Sequence, residues 1–207
     1  MSHRVGRTRW RRFAAVLVPS VAACAALGIA MAQGALAASF LISGKRFQVT
    51  ADTFTVRGLS IYSMVDVTKD HELVPVTVTG ARHATIDNLC QSVLVDVPML
   101  GEYTLRLTGG RQRPVEASNM FIDAPITSAE QANFRDLDIG IAQGAITKGP
   151  INPGDRKSRF FDPSGFGQQA TSVVLTDVDV TAVAVSAATF NVPGLSAKVE
   201  QGSHECP

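Results

Sequence analysis

The chain lacks the charge that nucleic-acid binding requires. Its 207 residues carry 19 lysines and arginines against 18 aspartates and glutamates, a formal net charge of +1. Five of the arginines lie in the first twelve residues, MSHRVGRTRWRR, so 14 basic residues accompany the 18 acidic ones further on. Contact with a nucleic-acid backbone needs a clustered basic face. We therefore expect no nucleic-acid partner.

Common catalytic and metal-binding motifs are also absent. No G-x-S-x-G elbow occurs, the strained turn that lifts the serine hydroxyl of an α/β-hydrolase clear of its strand. Neither C-x-x-C nor H-x-x-x-H occurs, so no zinc site and no cofactor are predicted. The remaining catalytic hypothesis is a non-standard serine site that uses Ser164 or Ser60 together with His83.

Charge disappears altogether between residues 13 and 38, FAAVLVPSVAACAALGIAMAQGALAA. An arginine-rich lead, an apolar stretch and the small-x-small sequence ALA make up an export signal. The stretch also exceeds the roughly 20 residues that cross a hydrocarbon core. Residues 1–38 are therefore predicted to be a lead followed by either a cleaved signal peptide or a retained membrane-anchoring helix. Residues 39–207 are predicted to be extracytoplasmic, either secreted or tethered to the cell membrane.

In the exported part, apolar residues recur at every second position, as in VPVTVTG and YTLRLTGG. Each run is bounded by glycine, proline, aspartate or asparagine, which supply turn geometry. The pattern predicts a mostly β fold with a single antiparallel β-rich domain, built as a sandwich, an open barrel or an elongated layer. One short exception is SAEQANF, Ser128 to Phe134, for which one turn of helix is predicted.

A long loop is predicted at about residues 143–172, because this stretch is rich in glycine and proline. Its basic residues flank phenylalanines, a combination that is typical of contact with an anionic lipid or a wall polymer. Packing of the phenylalanines over an open end of the sheet is the alternative. The residues predicted to contact a lipid or a partner are Phe160, Phe161, Phe166, Arg156, Lys157 and Arg159.

Two aspartate pairs stand out in a weak internal repeat, NFRDLDIGIA and VLTDVDVTAV. Asp136 and Asp138 in the first copy correspond to Asp177 and Asp179 in the second. Residues at i and i+2 of a strand share a face, so each pair is a candidate for binding calcium. The simpler interpretation is that these carboxylates form the solvated side of two similar strands.

Only three cysteines are present, and Cys24 lies in the export segment. The exported part therefore contains Cys90 and Cys206 alone. Because exported proteins fold in oxidising surroundings, two cysteines there are best interpreted as a pair. A disulfide between them would fasten the C-terminal tail to the strands near residue 90.

Several segments carry a likeness to a known family: GRTRWRRFA, AQGALAASF, IDNLCQSV, TKGP, GFGQQA and the cysteine-containing tail. With them the chain resembles a family of exported actinobacterial proteins of unknown function. Some members bear the label "cholesterol esterase", and members tend to be encoded beside a small multi-pass membrane protein. The resemblance implies no established catalytic residues.

The sequence thus predicts a non-catalytic protein of the cell envelope, exported or tethered to the membrane. Its expected partner is a membrane or cell-wall component, or a small multi-pass membrane protein. The alternative is a lipid-ester hydrolase, like a cholesterol esterase, with the non-standard serine site described above.

Overall fold

The computed structural model describes Leu17, residues 19–21 and residues 43–207. The chain divides into two compact units, Met1–Leu36 and Ala37–Pro207. In the first unit, Leu17 and residues 19–21 are helical, and the predicted lead and signal peptide or anchor otherwise lie outside the described residues. Across the described ranges no helix is both long and apolar enough to cross a membrane.

The second unit is built on one ten-stranded β-sheet in which every pairing is antiparallel. The predicted mostly β fold with a single antiparallel sheet is confirmed, and the sheet does not close. A 3-10 turn at Gln143–Ala145 and a short helix, α1, at Pro153–Arg156 interrupt the strands. The strands are β1 (Phe47–Val67), β2 (Leu73–Asp87), β3 (Leu89–Val97), β4 (Gly101–Gly109), β5 (Val115–Ala124), β6 (Ile126–Ala142), β7 (Phe166–Ala182), β8 (Ala184–Ser186), β9 (Thr189–Asn191) and β10 (Ser196–Gln201).

The sheet curls around its main core. Strand β7 pairs with β1, and its direct continuation β8 pairs with β5 two strands further along. Strands β7, β1, β2 and β5 therefore wrap one face around a set of apolar side chains, the first core. It includes Phe54, Val56, Leu59, Ala81, Ile86, Val115, Met120, Ile122, Ala170, Val173 and Val178.

Core-facing residues do not keep the spacing of two that the sequence predicts throughout. Val56 and Leu59 on β1 flank Gly58, whose φ is +68°, and both belong to the first core. Ala117 and Met120 on β5 flank Asn119 in the same way, with φ +43°. At the same level of the sheet, β1, β2, β5 and β7 each contain one residue that is left out of the pairing. Because every strand leaves out one residue there, the pairing register is the same on both sides of this level. Glycine and asparagine tolerate this left-handed backbone better than most residues do.

The aspartate repeat has the same origin. Asp136 on β6 has φ +52° and Asp177 on β7 has φ +47°, so both adopt the left-handed conformation. At each of these aspartates the strand changes which of its residues face the core. Leu175 and Val178 on β7, three positions apart on either side of Asp177, both contact the first core. The repeat therefore marks two equivalent backbone kinks within one sheet.

The outer face of the sheet is covered by residues 143–165, here called the cover segment. Under it lies a second core that includes Tyr62, Met64, Val76, Val78, Phe121, Ile146 and Ile151, with Phe160 and Phe161 packed against it. Tyr62 and Phe161 meet edge to face with ring centroids 6.1 Å apart. The cover segment thus supplies the apolar surface that this face of the sheet would otherwise expose to water.

Two expectations about these segments are wrong. The long loop ends at residue 165 rather than about 172, because β7 pairs with β6 from Phe166 onward and with β1 from Gly167 onward. Ser128 to Phe134 is strand rather than helix, since this stretch lies within β6 and pairs with β7. One helical turn is intrinsically unstable, and a long open strand edge beside it outweighs local propensity.

Gly149 allows the cover segment to approach β1 closely. A Cβ atom at this position would overlap the backbone of Leu59 and Ser60. We expect Gly149→Ala to lower the free energy of unfolding by about 2–3 kcal/mol, since backbone cannot yield as a side chain can. Gly194→Ala is the control, because its surroundings are open and only its φ of +68° opposes the change. Urea denaturation measures both, and an equal loss for the two variants would contradict the close approach.

Candidate functional site

A cleft of about 960 Å³ opens beside a three-stranded extension of the sheet. This extension, here called the arm, consists of β3, β4 and β10, and it joins β1 only through Gln48–Thr50. The cleft is lined by parts of β1, β3, β4, β7 and β10 and by the segments that follow β4 and β9. A cavity of this volume is in the range that binding sites for small molecules or polymer segments occupy.

Basic side chains line one part of the cleft. They are Arg106, Arg111, Arg113 and Lys198. Arg106 forms an ion pair with Glu200 at 3.0 Å. Within residues 43–207 neither Arg111 nor Arg113 has an ion-pair or hydrogen-bond partner, so both guanidinium groups remain available for a ligand. Guanidinium groups bind phosphate and carboxylate in a bidentate geometry.

The other lining residues are acidic or neutral polar. Asp52, Asp177 and Asp179 supply carboxylates, and Asp52 accepts a hydrogen bond from Asn88 Nδ2 at 3.1 Å. Thr50, Thr108 and Gln112 add hydroxyl and amide groups. Carboxylates and amides bind the hydroxyls of sugars and polyols. The cleft therefore suits a ligand that combines an anionic group with several hydroxyls.

The C-terminal tail borders this cleft and is fastened to the arm. Cys90 and Cys206 form a disulfide with an S–S distance of 2.00 Å. The Cys206 amide donates to Ser92 Oγ at 3.0 Å, and the His204 amide donates to Thr104 Oγ1 at 2.9 Å. Ser92 and Thr104 are completely buried. Two buried hydroxyls and one covalent bond thus fix the tail, and Pro207 reaches the cleft lining.

A separate cluster of carboxyl groups lies under the cover segment. Tyr62 donates its hydroxyl proton to Asp155 Oδ2 at 2.7 Å, and the Asn152 amide donates to Tyr62 Oη at 3.0 Å. One buried oxygen on each of Asp66 and Asp123 has no hydrogen-bond partner. The sequence does not reveal this cluster, because its three aspartates lie in separate segments far apart along the chain.

The burial of these carboxyl groups changes their acidity. Desolvation, followed by the charges of Asp66 and Asp155, raises the pKa of Asp123 to about 8. Desolvation and then Asp155 raise the pKa of Asp66 to about 6. Desolvation also raises the pKa of Asp155, although its bond from Tyr62 opposes the rise. At neutral pH Asp123 therefore retains its proton, and the cluster does not carry its full negative charge.

The candidate catalytic residues lie apart. Ser60 is fully buried on β1, and its hydroxyl donates to the Pro150 carbonyl. His83 is exposed on β2 opposite Arg57. Ser164 is exposed in the cover segment, where its amide donates to Asp162 Oδ1 at 2.9 Å. Among the described residues no hydrogen bond joins a serine hydroxyl to the His83 ring, the contact by which a histidine activates a serine nucleophile.

The first aspartate pair holds a lysine. Lys148 Nζ lies 2.9 Å from Asp136 Oδ1 and 2.9 Å from Asp138 Oδ2, and it donates to the Asp136 carbonyl at 2.8 Å. Hydrogen bonds from Lys148 lower the pKa of both carboxyl groups. Gln169 Oε1 accepts hydrogen bonds from the backbone amides of Thr147 and Lys148, and Gln169 Nε2 donates one to Asp138 Oδ2. Lys148 thus occupies the position proposed for a cation and fastens the cover segment.

The second pair has different neighbours. Asp179 accepts long hydrogen bonds of 3.4 Å from Gln48 Nε2, and Asp177 interacts with Glu130. Hydrogen bonding to Asp177 raises the pKa of Glu130. Within the ranges that the structure describes, no group of three or more His, Cys, Asp or Glu side chains is arranged to hold a metal ion.

The predicted contact residues of the loop divide into two groups. Phe160 and Phe161 are half-buried against the second core, and the Arg159 guanidinium lies 4.7 Å above the Phe160 ring. Phe166, with 59% of its surface exposed, and the basic residues Arg156 and Lys157 point to solvent. The packing alternative therefore describes Phe160 and Phe161.

The cleft itself was not predicted from the sequence. Arg111 and Arg113 belong to the short segment GGRQRP between β4 and β5, where alternate basic residues at a turn were the only signal. No curated protein and no solved structure matches the chain. One family model, described as a family of unknown function (DUF6230), matches residues 43–207, a range that includes the arm, the cleft and the cover segment. The chain therefore belongs to the DUF6230 family of unknown function.

Proposed function

We propose that the protein is a non-catalytic component of the cell envelope that binds an anionic, hydroxyl-rich wall polymer in its cleft. The observation that carries the proposal is the pair of unpartnered guanidinium groups, Arg111 and Arg113, in a cleft of about 960 Å³. Phosphate or uronate groups of the polymer would bind these arginines. Its hydroxyls would bind the polar wall that contains Asp52 and Gln112.

Export supports this location. The arginine-rich lead and the uncharged stretch of residues 13–38 are typical of a signal peptide or an anchor. The disulfide between Cys90 and Cys206 is of the kind that persists in oxidising compartments. A wall polymer rather than a lipid is favoured, because the cleft lining is mostly polar or charged and the neighbouring apolar slot has a volume of only about 40 Å³.

Binding of defined polymers to the full chain in mild detergent tests the proposal. The probes are a glycerol-phosphate polymer, a uronic-acid polymer and neutral dextran, measured by calorimetry or polymer-affinity electrophoresis. We expect the anionic polymers to bind and dextran not to bind. Replacing Arg111 and Arg113 by alanine should weaken binding at least about tenfold, because charge-assisted hydrogen bonds are lost.

Arg156→Ala with Lys157→Ala is the matched control, because it also removes two exposed positive charges but lies outside the cleft. It should leave polymer affinity unchanged. An equal loss in both double variants would assign binding to overall charge and overturn the cleft. Hydrolysis of acyl esters that disappears in Ser60→Ala, Ser164→Ala or His83→Ala would establish the hydrolase alternative instead.

A further inference from the structure

The arm ends in an open strand edge. Strand β10 pairs with β4 on one side, and no described strand pairs with it on the other. The Gly202 amide donates to the Glu102 carbonyl at 2.8 Å, which makes these two a hydrogen-bonded pair. Such pairs alternate along an antiparallel ladder. Ala197, Val199 and Gln201 therefore direct their amides and carbonyls away from β4. Of these groups, the Gln201 carbonyl accepts a hydrogen bond from His204 Nε2 at 3.1 Å.

One face of the arm is apolar and belongs to neither core. Across the three strands Val93 is opposite Leu105, and Leu105 is opposite Val199. Val199 has 67% of its surface exposed at the open edge. An apolar row that ends at an unpaired edge is a template for a further strand.

The other face of β10 carries opposite charges two residues apart. Lys198 is directly opposite Arg106 of β4, a repulsive arrangement, and it has no ion pair with any described residue. Glu200 Oε2 forms an ion pair with Arg106 Nη2 at 3.0 Å. Like charges that face each other across strands are destabilising. The edge therefore presents a lysine that has no ion-pair partner among the described residues.

We propose that two copies of the chain pair through β10, antiparallel, about a two-fold axis at Val199. Val199 then lies opposite Val199 of the second copy, and about four main-chain hydrogen bonds join the two strands without displacing His204 from the Gln201 carbonyl. The same register places Lys198 opposite Glu200 of the partner strand, twice. The apolar row becomes continuous across six strands, and each lysine gains the acid that its own chain does not supply.

The other long edge is less suitable for such pairing. Strand β6 is interrupted by the left-handed Asp136 and by a bulge near Gly140, whose φ is +83°. Kinks and bulges are the means by which natural sheets prevent edge pairing. Strand β10 has no kink between Ser196 and Gln201.

Pairing about this axis would also affect the clefts. Arg106, Thr108, Ser196 and Lys198 line the cleft and lie on the even-numbered face of the arm. A two-fold axis perpendicular to a sheet keeps equivalent faces on the same side, so both clefts would open in one direction. The dimer does not depend on the polymer-binding proposal, but it would present two clefts to the same surface.

Oxidative crosslinking of the full chain in mild detergent tests the register, in a Cys24→Ser background. Val199→Cys should form an intermolecular disulfide, because paired Cα atoms lie about 5.5 Å apart. Ala197→Cys is the matched control, since its two copies would be about 14 Å apart along the strands. We expect at least about tenfold more crosslinked dimer at position 199 than at 197.

Charge variants keep the test decisive if the cysteine variant folds poorly. Lys198→Glu should shift the full chain from dimer to monomer in light scattering, and Lys198→Glu combined with Glu200→Lys should restore the dimer. Similar crosslinking at positions 197 and 199 would overturn the pairing. So would a chain that remains monomeric, one that crosslinks only to another protein, or a double variant that fails to recover.

Discussion

Replacing both Cys90 and Cys206 by alanine should lower the free energy of unfolding by about 4 kcal/mol. The two residues are 116 positions apart, and the loss of so long a closed loop raises the entropy of the unfolded chain substantially. For a domain of this size the melting temperature should fall by about 10 °C. Differential scanning calorimetry under non-reducing conditions measures the change.

Ser92→Ala provides a graded comparison, because it removes only the hydrogen bond that Cys206 donates. Its loss should be about 1 kcal/mol. Cys24→Ser, outside the disulfide, should leave the transition of the second unit unchanged. A double alanine variant that melts with the wild type would show that the tail is held by its hydrogen bonds alone.

A second large effect is expected from pH, through the carboxyl cluster under the cover segment. The folded protein holds a proton on Asp123 up to a pKa of about 8, whereas the ordinary value is 3.8. The folded state therefore binds protons more tightly than the unfolded state between these values. The stability that this proton contributes is complete below about pH 4 and is lost as the pH rises toward 8, by an amount on the order of 5 kcal/mol.

Asp123→Asn removes the ionisation while it preserves the shape of the side chain. The variant should be more stable than the wild type at pH 8 and should lose less stability between pH 5 and pH 8. Urea denaturation at a series of pH values measures both quantities. Asp70→Asn, at an exposed turn, is the control and should follow the wild-type profile. If the stability of Asp123→Asn changed with pH in the same way as that of the wild type, the protonated state of Asp123 in the folded protein would be refuted.

The strands could be predicted from the sequence because the alternation of apolar and polar residues is visible within a few consecutive positions. Val74, Val76 and Val78 pack on one side of β2 for no other reason than their spacing. Boundaries were less accessible, since the start of β7 at Phe166 depends on two partner strands far away in sequence. The helix expected at Ser128 to Phe134 failed for the same reason.

The site shows this limit more clearly. Two carboxylates at i and i+2 were visible as a pair, but their partner is Lys148, which reaches them from the cover segment. The cleft takes its lining from five strands, so no single stretch of sequence contains it. The disulfide was accessible because it required only the compartment and the number of cysteines. The disulfide could be predicted from the number of cysteines, whereas the Lys148 ion pairs and the cleft depend on which segments meet in three dimensions.

The position of Cys206 also sets an order of events. It lies 116 positions after its partner Cys90. The crosslink therefore cannot form until the chain has been made as far as residue 206. Strands β1, β2 and β5 are made earlier and can pair before that moment. The crosslink of the arm is thus completed after the strands of the first core have been made, and Cys206→Ser would leave this step without a reactant.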